Sequence, residues 1–262
     1  MAGRKTTDSV EIDVVQMQQG RITLCVLGSS PLIYNQMSEK ARRDLLMPAG
    51  RKTAAQKAQN LKHEPMTEYR ASVYRRADGE AGPTRLVFPA PAFKAAMANA
   101  AKDMPTSVAK AQVGRLSWVE GYSVDVYGAP MLHMSVVRSA DMNRTPDIRT
   151  RAILPAWACR VTLTFIMPVL SANTVATLMQ AAGMVCGIGD WRQEKGSGNH
   201  GQFRIVDGDD AEFQRVIRDG GRDVQDAALA DPLAYDAATA DLLAWFEDER
   251  KRRPVAARLV AA

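Results

Sequence analysis

Residues 158–183 read ACRVTLTFIMPVLSANTVATLMQAAG, and the hydrophobic period changes once inside them. Val161, Leu163 and Phe165 occupy alternate positions, which predicts a strand over Ala158–Met167 with one face turned inward. After Pro168, Ser171 is placed as a helix N-cap, because its hydroxyl can accept a hydrogen bond from a free amide of the first turn. Val175, Leu178, Met179 and Ala182 then recur at helical spacing. A strand and a helix that each carry one apolar face predict a sheet with helices packed against it.

The same reading extends in both directions. Arg21–Leu27 is apolar and β-branched, and the turn residues Gly28, Ser29, Ser30 and Pro31 follow it. A short strand over Arg85–Phe88 leads through Pro89 into a helix that turns Phe93, Met97, Ala100 and Met104 inward. Strands are predicted at Arg115–Val119, Ser123–Tyr127, Met131–Arg138 and Gln202–Val206. Stripped of insertions, the order is strand, helix, strands, helix, strand, which is the βαββαβ pattern of an α+β, ferredoxin-like or RRM-like core. The expected body covers residues 1–206, with long insertions at 34–84 and 139–156. Pro146 and Pro155 argue against regular structure in the second insertion. Residues 207–262 form an acidic, partly helical extension, with a helix expected over Asp236–Arg250.

Charge is distributed unevenly along the 262 residues. The formal net charge is +5, but Lys40–Arg76 holds ten basic and three acidic residues, whereas Asp207–Arg250 holds four and thirteen. A basic body of this kind attracts polyphosphate backbones, and a solvated lysine-rich face is the plainer alternative. No apolar run approaches the roughly 18 residues of a membrane span, and MAGRKTTDSV lacks the apolar centre of a signal peptide, so a cytoplasmic protein is expected. Cys25, Cys159 and Cys186 lie in apolar settings without a CxxC pair, and His63, His133 and His200 are far apart in sequence. Neither set has metal-site spacing, and no metal or cofactor is expected.

Two constellations stand out. Residues 187–203 read GIGDWRQEKGSGNHGQF. The stretch follows a helix and precedes a strand, the reverse of a dinucleotide or P-loop cradle, which needs a helix N-terminus aimed at phosphate. Gly187, Gly189, Gly196, Gly198 and Gly201 instead let backbone amides approach an extended ligand, with Arg192 and Lys195 as cations and Trp191 as a stacking surface. The plainer reading is a glycine hairpin with Trp191 in the core. Four further arginines, Arg138, Arg144, Arg149 and Arg151, lie in the segment between two strands, where an exposed hairpin would carry them to phosphates with Met142 against bases. The alternative for these arginines is a subunit interface. No GxSxG and no Ser/His/Asp set is present, so an enzyme is not expected, although His133 or His200 keeps a ribonuclease reading open.

The βαββαβ order, the early insertion, the arginine-rich segment from Arg138 to Trp157 and the loop GIGDWRQEKGSGNHGQF together resemble the RAMP superfamily of CRISPR effector proteins. The likeness is to the backbone subunits that polymerise along guide RNA. It implies a finger-like early insertion, a thumb over Arg138–Trp157 that folds over RNA, and a glycine loop on the RNA backbone. The segments LKHEPMTEYR, RTPDIRTR and GIGDWRQEKG also resemble those of uncharacterised bacteriophage proteins. The implied partners are single-stranded RNA or DNA, further copies of the chain and other effector subunits. A phage assembly protein that binds no nucleic acid is the expectation from another class.

Overall fold

The computed structural model describes residues 14–37, 42, 45–46, 63–105, 108–138, 146–195 and 198–252. The protein is α+β, and every strand pairing among these residues is antiparallel. Its longest strand pair is β1 (Gln18–Gly28) against β8 (Ala158–Met167), the strand with which the sequence reading began. On the far side of β1 lies β9 (Phe203–Val206), and on the far side of β8 lie β4 (Ser117–Val119), β5 (Ser123–Tyr127) and, beyond β5, β3 (Val87–Pro89). A second sheet runs in the order β2 (Leu32–Ile33), β7 (Pro146–Leu154), β6 (Met131–Arg138).

The alternation in β8 works as expected. Val161, Leu163 and Phe165 are buried together with Leu24 and Val26 of β1, beneath Phe93 and Met97 of helix α2 (Ala90–Ala100) and Val175, Leu178 and Met179 of α4 (Ala172–Ala181). Ser171 caps α4, its Oγ accepting from Thr174 N at 3.1 Å. Burial of such side chains is worth about 1.5–3 kcal/mol each, which is what holds two helices on one face of the sheet. A π-helical turn, Ala182–Cys186, then carries the chain into the glycine loop.

Some boundaries differ from the sequence reading. Arg115 and Leu116 end a helix, α3 (Lys110–Leu116), so the strand starts at Ser117. The larger difference is β7, a nine-residue strand paired with β6 from Arg138↔Pro146 to Met131↔Ile153, where two prolines argue against regularity. Pro146 is the first residue of the strand, and Pro155 falls just after its last, so neither interrupts the ladder. The expected insertion over 34–84 is described mainly at its two ends, where α1 (Pro65–Ala71) packs on β7.

The acidic extension folds onto the body as far as it is described. Helix α5 (Ala211–Asp219) seals one end of the other face of the large sheet, with Phe213 and Val216 against Leu27 and Ala158. Helix α6 (Arg222–Ala230) inserts Gln225, which has no exposed surface. The Gln225 amide oxygen accepts from Arg85 N at 2.7 Å and Leu86 N at 2.8 Å, and its nitrogen donates to the carbonyls of Val126 and Gly220 at 2.8 and 2.9 Å. One side chain thereby satisfies backbone groups that the ends of β3 and β5 leave unpaired. The chain then bonds the outer edge of β6 through Leu132 N to Leu233 O and Tyr235 N to Leu132 O, both 2.8 Å. It continues as α7 (Ala237–Arg252), capped by Asp236, whose carboxylate accepts from Thr239 N at 2.7 Å. No helix among the described residues is long and apolar enough to cross a membrane.

Candidate functional site

The β6–β7 ribbon has two faces because side chains alternate along each strand. Leu132, Met134, Thr150 and Ala152 are buried on one face. On the other, His133 sits opposite Arg151 and Ser135 opposite Arg149. Arg149 is exposed, whereas Arg151 is half-buried, donates from Nη1 to Gln36 O at 3.2 Å and holds Nε 4.0 Å from the Asp190 carboxylate. Burial lowers the pKa of Arg151; Asp190 opposes the shift and Arg149 adds to it.

Asp190 belongs to the glycine loop, so the two constellations read separately in the sequence converge on one face. The loop is fixed by its own backbone. Ile188 N donates to Gly201 O, Asp190 N to Ile33 O and Gly201 N to Pro31 O, all within 2.9 Å, while His200 N donates to Trp191 O at 3.1 Å. A Cβ on Gly201 would lie 1.7 Å from Ile188 O, and one on Gly189 would lie 2.5 Å from Ile33 O, with φ of +72° and +86° at the two positions. These glycines are therefore required by contacts inside the chain, which accounts for their density before any ligand is considered. Gly187, also at positive φ, ends the π turn, and Gly198 lies against Trp191 backbone.

The loop leaves some side chains outside. Trp191 is 41% exposed and its ring lies 6.1 Å from that of His200. Lys195 is exposed at the end of a short 3₁₀ turn. Arg192 folds back, donating to Gly189 O at 3.0 Å and to Glu194 at 2.9 Å. Arg138 is exposed at the end of β6 but on the opposite face of the ribbon from Arg149, three pairs along. Arg144, Met142 and Gly196 lie outside the described residues.

The sequence reading weighed His133 and His200 singly and did not bring them together. The fold places them within electrostatic reach of one another. Burial lowers the pKa of His133, opposed by Asp236 and reinforced by His200; burial likewise lowers that of His200. Asp236 approaches His133 Nδ1 to 3.7 Å, and the Tyr235 ring stands edge-on at 5.6 Å. Among the described residues His133 Nδ1, His200 Nδ1 and Arg151 Nε are buried nitrogens with no hydrogen-bond partner. The same holds for Tyr34 Oη, Arg76 Nε and Thr150 Oγ1, while His133 Nδ1 and Arg151 Nε each face a carboxylate just beyond hydrogen-bond distance. His133 alternating with Leu132 and Met134 was the one sequence signal for this face; Asp190 and Asp236 gave none. No group of three metal-ligating side chains forms among the described residues.

The site is thus a partly buried face of two arginines and two histidines, bordered by two carboxylates and a half-exposed tryptophan, on an antiparallel α+β body. Comparison with models of known protein families and with curated proteins finds no match to the chain.

Proposed function

We propose that the protein is a non-enzymatic binder of single-stranded nucleic acid, RNA in preference, that assembles side by side along its ligand. The observation that carries the reading is the convergence of Arg149, Arg151 and the loop bearing Trp191 on one face. Cations that track a backbone beside an exposed ring are what sequence-tolerant single-strand binding requires. The ferredoxin-like core and the kinship with RAMP backbone subunits belong to the same proposal. They are supported by the sheet order β9-β1-β8-β5, which is the fourth, first, third and second strand of a βαββαβ unit, with α2 and α4 on one face. Side-by-side assembly is supported by the opposed charges of the Lys40–Arg76 and Asp207–Arg250 segments and by an apolar groove between β6 and α6. That groove has a volume of ≈ 640 Å³ and includes Pro130, Met131, Val224 and Leu233.

Replacing Arg149 and Lys195 together with Ala tests the binding face with little risk to the fold, since both are exposed. Binding of a labelled single strand is measured as a function of salt. Loss of two phosphate contacts lowers the slope of log K against log salt by about 1.4. An unchanged slope and affinity remove this face from the proposal. A second reading, metal-independent RNA cleavage, draws on the coupled histidines. It predicts strand scission in EDTA that disappears in His133→Gln or His200→Gln.

A further inference from the structure

A cleft of ≈ 210 Å³ opens beside the glycine loop, and neither the hairpin nor Trp191 lines it. Its walls are Tyr74, Phe88, Ala92 and Ala96, its floor includes the backbone of Gly187–Gly189, and Arg192 and Glu194 stand at its rim. The Tyr74 and Phe88 rings meet edge to face with centroids 5.6 Å apart. Glu194 is held from two sides, by Asn99 and by Arg192 Nε, and Arg192 Nη1 is tied to Gly189 O. Arg192 Nη2 has no hydrogen bond among the described residues.

We infer that this cleft takes one nucleobase of the bound strand. The inference rests on the nucleic-acid reading above and adds to it a place where a base, rather than a phosphate, is held. Three features point that way. Its volume is below the roughly 300–1,000 Å³ of pockets that enclose drug-sized ligands, so it suits a single ring system. Two aromatic side chains and two alanines make the apolar walls that a planar ring needs. The rim sets an immobilised acceptor, the Glu194 carboxylate, beside an available donor, Arg192 Nη2. An edge with one acceptor and one donor side by side complements the amino and carbonyl or ring-nitrogen pattern of a base edge. Arg192, read from the sequence as a phosphate contact, is thereby assigned to a base.

The test uses the full chain and two RNA 12-mers of equal length, one with all its bases and one abasic at alternate positions, titrated by fluorescence anisotropy. Ala92→Leu and Ala95→Phe narrow the cleft; Ala95 lies on the exposed side of α2, so at least that variant keeps the fold, as its thermal unfolding will confirm. The native chain is expected to bind the complete strand about tenfold or more tightly than the abasic one, and the variants to lose most of that preference, the remainder coming from Trp191. If the native chain prefers the complete strand and the variants retain that preference, bases are read elsewhere: the cleft assignment falls and the nucleic-acid reading stands. Equal binding of both strands by the native chain has the same consequence. If neither strand binds, both fall.

Discussion

The glycine loop and the helix pair that follows it both dock against the body, and they do so by opposite means. Helix α6 docks through a side chain: Gln225 is fully buried and its amide completes the backbone bonding of β3 and β5. The loop docks chiefly through backbone, main-chain amide to main-chain carbonyl, over glycines that admit the close approach. Where a side chain satisfies the backbone, its identity is dictated by folding. Where the backbone satisfies itself, side chains such as Trp191 and Lys195 are released to the surface, and a site can be built from them.

Breaking the first kind of docking has the largest expected effect. Gln225→Leu keeps the volume but strands two buried amides and their opposing carbonyls, and it is expected to cost about 4 kcal/mol in urea unfolding. A loss under 1 kcal/mol would mean that α6 contributes little to the fold. Breaking the second kind is next. Gly201→Ala forces a Cβ into Ile188 O at positive φ and is expected to cost about 3 kcal/mol. Gly79 has a similar φ with no atom within 4 Å of a Cβ, so Gly79→Ala is expected to cost only about 1 kcal/mol. Equal costs at the two positions would show that the loop tolerates the displacement.

The smallest effect sharpens the comparison by pH. His133 joins the ribbon to the segment after α6, and His200 belongs to the loop. Both have folded pKa values below 6.5, because burial disfavours the imidazolium. Between those folded values and 6.5 the unfolded chain binds more protons, so this stability is present above pH 6.5 and is lost as pH falls through the folded pKa values. The carboxylates with lowered pKa, Asp236 and Glu120 among them, lose theirs only further into acid. Thermal unfolding is therefore expected to drop by about 3 °C between pH 7 and pH 5.5, and less in His133→Gln. A flat profile over that window would place both imidazoles in contact with water.

What was legible in the sequence was local. The alternation of Val161, Leu163 and Phe165, the Ser171 cap and the inward helix positions are each fixed by neighbours within a few residues, and they fold as read. Arg149, Trp191 and Lys195 were visible as exposed chemistry because cations and rings in polar, glycine-rich segments are driven toward solvent. Nothing marked Gln225, since a glutamine in an acidic helix looks the same whether it faces water or a strand end. Pro146 pointed the wrong way for β7, because only strand pairing reveals that a proline is first in its ladder.

The sequence by itself determined the α+β class, the period of β1, β8, α2 and α4 and the residues with chemistry to offer, since those follow from side-chain spacing and polarity. The tertiary structure decided which of them meet. It set Arg151 against Asp190 and His133 near His200, and it turned Arg192 back toward Gly189 and the cleft. Contacts between residues far apart in the chain depend on how sheet and helices close over a shared core, and no local pattern encodes that closure.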